Sequence, residues 1–139
     1  LYGEKVQGEM RGNGQFSPEI SSFVEKLTRL SQLPYVKATR VVGRYGLLYA
    51  LARMCTSSLG GDFQLPKGRG GFEEYLYEVV FSVVEAEAFK KELEKEGIDF
   101  YTLGHTQKTF LSWERGKVSC DELLQAYETG WEQNFENLD

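Results

Sequence analysis

Between Tyr35 and Cys55 the apolar residues change period across a single short turn. Tyr35-Val36-Lys37-Ala38-Thr39-Arg40-Val41-Val42 is β-branched and partly alternating, which is the pattern of a strand. Gly43-Arg44-Tyr45-Gly46 is a turn, and Leu47, Leu48, Leu51, Met54 and Cys55 then form the wide apolar stripe of a helix packed deep against a sheet. Gly60-Gly61 is expected to stop that helix. A strand running through a tight turn into a buried helix needs layers of both kinds, so a helical bundle and an all-β sandwich are both disfavoured.

The flanking segments repeat the theme. Leu1 to Gln15 holds Gly3, Gly8, Gly12 and Gly14 among charged residues and is expected to be mostly loop. Ser17-Pro18-Glu19 reads as a cap, a first-turn proline and a first-turn acid, and Ile20, Phe23, Val24, Leu27 and Leu30 continue as an amphipathic helix ending before Pro34. Lys67-Gly68-Arg69-Gly70-Gly71, after Pro66, reads as a mobile connection. A strand is expected over Leu76–Val84, and a helix over Glu85–Glu96 with Ala86, Phe89 and Leu93 inward. Gly97 is placed to end it as a left-handed residue, with Ile98 touching Leu93. Ile98–Leu103 and Thr109–Trp113 read as a strand pair around a turn at Gly104-His105-Thr106-Gln107-Lys108. Ser119 and Glu122 have capping-box spacing and open a helix carrying Leu123, Leu124 and Tyr127, followed by Trp131 and Phe135 in an acidic tail, where exposed aromatics would mark a docking site. The expected fold is α/β (α+β), a mixed β-sheet covered by helices.

The 139 residues suit one domain, and at this size about 68–70% of the unfolded chain's surface can be hidden. The 41% apolar content therefore builds a core without staples. Cys55 and Cys120 are far apart in sequence and form no metal-ligand spacing, which points to a reducing, cytoplasmic setting. No apolar run reaches the roughly 18–20 residues of a membrane span. A net charge of −5 opposes the footprint of a phosphate-backbone binder, so neither nucleic acid nor membrane is an expected partner. With His105 the only histidine, histidine-based metal and proton-relay chemistry loses its ligands, and His105 itself reads as a solvated turn residue.

Three segments carry a resemblance. Leu1-Tyr2-Gly3 with Glu9-Met10-Arg11-Gly12-Asn13 is the first. Val41-Val42-Gly43-Arg44-Tyr45-Gly46-Leu47-Leu48-Tyr49-Ala50-Leu51-Ala52-Arg53-Met54 is the second. The third runs from Tyr75–Val84 through Glu87-Ala88-Phe89, Gly97 and Leu103-Gly104 to Asp121-Glu122-Leu123-Leu124-Gln125-Ala126-Tyr127-Glu128. In this order they resemble the C-terminal domain of the aminoimidazole-ribonucleotide-synthetase superfamily, and most of all that of the phosphoribosylformylglycinamidine synthases. The closing helix favours these ligases over selenophosphate synthetases, thiamine-monophosphate kinases and hydrogenase maturation factors.

The resemblance implies a fragment of a longer ATP-dependent carbon–nitrogen ligase of purine biosynthesis, which amidates formylglycinamide ribonucleotide with ammonia from glutamine. It implies ATP and magnesium sites in a preceding domain of the same superfamily, no cofactor within these residues, and a glutaminase domain or subunit as a further partner. The isolated domain is then expected to be inactive, with no catalytic residue and no metal ligand of its own. Where the family has Asp, Ser, Asp and Gly ahead of the helix this chain has Val41, Gly43, Arg44 and Tyr45, and Arg53 replaces a glutamate. That loss admits a catalytically degenerate structural or regulatory copy as the alternative. Gly43, Arg44, Tyr45 and Gly46 remain the candidate phosphate or substrate site, since a helix start offers amide donors and Arg44 a bidentate one. Lys67–Gly71 lacks Walker spacing and is read as loop. Cys55 reads as a packed small hydrophobe, Cys120 as a thiol near a helix start without an identifiable base, and Glu85, Glu87, Glu92, Glu94 and Glu96 as a solvated face.

Overall fold

The computed structural model describes residues 4–5 and 18–135. In chain order the elements are β1 (Glu4–Lys5), α1 (Pro18–Ser31), β2 (Val36–Val41), α2 (Gly46–Ala52), β3 (Gly60–Phe63), β4 (Tyr75–Leu76), β5 (Val79–Val83), α3 (Ala86–Glu96), β6 (Gly104–Gln107), β7 (Phe110–Trp113), β8 (Gly116–Ser119) and α4 (Cys120–Phe135). This is the mixed helix-and-strand class that the sequence implies. The Ser17 cap, most of the Leu1–Gln15 loop and the first segment of the resemblance lie outside the described residues, as do the side chains of Trp131 and Phe135. Two compact units form, one made of the described residues up to Gly46 with Glu74–Tyr101, the other of Leu47–Glu73 with the described residues from Thr102 onward.

The first unit contains α1, α3 and two antiparallel pairs, β1 with β4 and β2 with β5. In α1 the apolar spacing brings Leu30 to 1% exposure, and the Gln32 and Leu33 amides donate to Arg29 and Leu30 carbonyls, tightening the last turn before Pro34. Leu30, Phe89 and Leu93 make the core, with Leu27, Tyr35, Phe81 and Ile98 packed against it. The Phe89 ring lies 5.0 Å from Phe81 and 6.3 Å, edge on, from Tyr35. Burying each such side chain is worth about 1.5–3 kcal/mol. Lys26 Nζ donates to the Glu96 carbonyl at 2.8 Å and Arg29 pairs with the Glu96 carboxylate, so two cations meet the negative end of α3. Gly97 at φ 66° donates to Glu94 O and Ile98 N to Leu93 O, the helix ending that the spacing predicts. Ala86, expected inward, is exposed.

The strand expected over Leu76–Val84 is two strands. Tyr77 takes φ 63°, which turns the chain out of the ladder, so β4 pairs with β1 while β5 pairs with β2 from Val41↔Val79 to Val36↔Val83. A bulge between Val36 and Ala38 interrupts that register.

The second unit is built on a four-stranded sheet in the order β6-β3-β7-β8, with β3 and β7 parallel and the other neighbours antiparallel. Leu47, Leu48 and Leu51 of α2 are buried, as the stripe predicts, with Ala50, Leu103, Leu111 and Cys120, whereas Met54 and Cys55 of the stripe lie beyond α2 and are half-buried. Four expectations fail here, several of them through the insertion of β3. The helix ends at Ala52 rather than reaching Gly60, because Thr56 and Leu59 bond back to each other and turn the chain into β3. β3 then lies between β6 and β7, so those two do not form a hairpin, and Ile98–Leu103 is not a strand. The hairpin partner of β7 is β8, and His105, expected in a turn, stands in β6 opposite Asp62. Ser119 and Glu122 close the capping box of α4: Glu122 N donates to Ser119 Oγ at 3.1 Å and Ser119 N to the Glu122 carboxylate at 3.0 Å.

Candidate functional site

Gly43-Arg44-Tyr45-Gly46 sits where the sequence puts it, between β2 and the first residue of α2. The Gly46 amide donates to Gly43 O at 3.1 Å, closing a four-residue turn whose third position, Tyr45, has φ 71°. That is the position at which a type II turn favours glycine, so Tyr45 holds a conformation that ordinarily costs a side chain about 1–2 kcal/mol. The Tyr45 amide donates to the Glu74 carboxylate at 2.9 Å, and the Arg44 guanidinium lies 5.6 Å from the Tyr45 ring centre. Two of the turn's donors are therefore taken, one by a carbonyl and one by a carboxylate, and a phosphate arriving here competes with the charge of Glu74.

The remaining residues singled out in the sequence are engaged in packing. Arg53, which stands in place of the family's glutamate, places its guanidinium 3.7 Å from the ring centre of Tyr127 on α4. The Lys67–Gly71 loop is irregular, as expected, and is bonded along its length. Arg69 N donates to Pro66 O at 2.9 Å, the Arg69 guanidinium to Gly70 O and Glu73 O, and Leu48 N to Gly71 O at 2.8 Å. Of the α3 acids, Glu85, Glu87 and Glu94 are exposed, whereas Glu92 and Glu96 are partly covered. The Lys90 ammonium, 2.7 Å from Glu87, holds that carboxyl below its usual range.

One polar constellation escaped the sequence reading. The register lines up His105, Asp62, Ser112 and Lys117 across β6, β3, β7 and β8, on one face of the sheet. Ser112 Oγ donates to Asp62 Oδ1 at 2.7 Å and accepts from Gln107 Nε2 at 3.0 Å. Nucleophilic catalysis needs the hydroxyl proton handed to a base such as imidazole. Here it goes to the carboxylate, and the hydroxyl ties three strands together. No signal in the sequence marks this row, because Gly60-Gly61-Asp62-Phe63 lacks β-branched residues and only the tertiary register brings Asp62 beside Ser112.

Of the two thiols, Cys120 stands at a helix start as expected, whereas Cys55 is not on the helix face where the stripe puts it. Cys55 lies beyond the end of α2 and is half-buried, and Cys120 opens α4 and is buried. Among the described residues no group of three or more His, Cys, Asp and Glu comes together to hold a metal ion, and no helix is long and apolar enough to cross a membrane. No protein-family model and no curated protein sequence matches the chain.

Proposed function

We infer that the chain is a C-terminal-type domain of a phosphoribosylformylglycinamidine synthase-like ligase, and that it acts as scaffold rather than as a ligand-binding half. Support for the kinship comes from where the motifs fall. The strand–turn–helix of Val41–Met54 starts α2 at Gly46, Gly97 closes α3, and Asp121–Glu128 forms the first turns of α4 behind a complete capping box. The observation that carries the scaffold role is the Tyr45 amide bonded to Glu74, since the chain's own carboxylate occupies an anion's place at the turn.

These residues do not fit a nucleotide phosphate, and in the inferred ligase ATP and magnesium belong to the preceding domain. The role left to this chain is to pack against that domain and complete the assembly. Titration calorimetry of the chain with ATP and with formylglycinamide ribonucleotide should give no binding, while an ATP-binding domain of such a ligase should associate with it. Ligand binding that is lost in Arg44→Ala would overturn the scaffold role. Failure of the two domains to associate would overturn the kinship.

A further inference from the structure

The antiparallel bridge between Thr56 and Leu59, with Thr56 N to Leu59 O at 2.9 Å, folds the chain back so that Gly60 follows beside the residue preceding Thr56, which is Cys55. Gly60 has no side chain, and a Cβ built there would stand 2.9 Å from Cys120 Sγ and collide with the Phe110 carbonyl. The sulfur of Cys120 thus lies over the bare backbone of Gly60, and the Cys120 amide donates a hydrogen bond to Thr109 O at 2.8 Å that holds it in place. The Cys55 thiol donates to Leu51 O at 3.4 Å, and Cys55 stands across from Gly60 while the Cys120 sulfur lies over it, so both cysteines flank this one glycine. Both are free cysteines, far apart in sequence and brought to the same glycine by the fold.

We propose that Cys55 and Cys120 form a reversible intramolecular disulfide, a redox modification site that links the segment after α2 to the first residue of α4. The oxidant is a low-molecular-weight disulfide of the glutathione class. The Cys55 thiolate, on the half-buried side, attacks one sulfur of that disulfide; its S–S bond breaks, a thiolate leaves, and a mixed disulfide forms on Cys55. Cys120, buried beside it, then attacks the Cys55 sulfur, expelling the second small thiolate as the protein S–S bond forms. Two protein thiols lose their protons to the two departing thiolates, so one small disulfide is reduced to two thiols. Burial first, and then the neighbouring Cys120, pushes the Cys55 thiol up to about 11, so at neutral pH the resting form is a thiol and exchange is slow. The site is independent of the ligase reading, since it needs only this unit's own fold.

The test uses the unaltered chain. After incubation with oxidised glutathione and alkylation of remaining thiols, intact mass should show a monomer lighter by two hydrogens and carrying no alkyl group. Non-reducing peptide mapping should join the Cys55 and Cys120 peptides, and dithiothreitol should restore two alkylatable thiols. Cys120→Ser should halt at the mixed disulfide on Cys55. The proposal is overturned if both thiols of the unaltered chain remain alkylatable, if glutathione stays on Cys55 with Cys120 unreacted, or if the cross-link joins two copies.

Discussion

Gly43 and Gly60 show how differently one residue type is used. Gly43 belongs to the candidate turn, yet a Cβ there would meet nothing within 4 Å, and its φ is not positive. Gly60, which reads in the sequence as a helix stop, lies where a methyl group would strike the Phe110 carbonyl and the Cys120 sulfur. Gly43→Ala should therefore be neutral or stabilise by up to about 1 kcal/mol, by reducing the freedom of the unfolded chain. Gly60→Ala should cost about 1–3 kcal/mol, because neither backbone oxygen nor buried sulfur can yield. Urea denaturation of the two variants compares them directly, and a Gly43 variant less stable than the Gly60 variant would contradict this account. Sequence alone does not reveal this difference, since a close approach between distant segments leaves no mark on local pattern.

At the scale of elements, the ends of α3 and the start of α4 were the most legible features, whereas the end of α2 was not. Ser119 with Glu122 and Gly97 with Ile98 are local motifs whose partners lie within five residues, so spacing alone specifies their bonds. Ser119→Ala should destabilise by about 1 kcal/mol, readable as a lower urea midpoint. The Ser119 amide first, and its hydroxyl second, hold the Glu122 carboxyl below its usual range. Because the folded value is depressed, the cap's contribution is whole above the ordinary glutamate range and drains as pH falls through the lowered value. The stability difference between the protein and Glu122→Gln should accordingly be constant from pH 6 to 8 and shrink in acid, which urea midpoints across that range would reveal; a gap that widened in acid would refute it. Strand partners were less legible. β8 and β3 are short, glycine-bearing and weakly patterned, and their identity depends on neighbours more than 40 positions away in the case of β3 with β6.

For the whole molecule, the stabilising centre of the first unit is the meeting of α1 and α3 over Phe81 and Tyr35. Leu30→Ala should cost about 2–5 kcal/mol there, and amide exchange should quicken together across α1, β5 and α3; a change confined to α1 would argue against a shared core. The class of fold and the α1, α2, α3 and α4 starts follow from the sequence, because periodicity and capping are short-range and each residue's neighbours along the chain suffice to define them. The break at Tyr77, the insertion of β3 between β6 and β7, the Asp62–Ser112 bond and the approach of Cys55 and Cys120 to Gly60 came only with the tertiary structure. Each depends on contacts between segments far apart in the chain, whose free energy is settled by packing and register rather than by local preference.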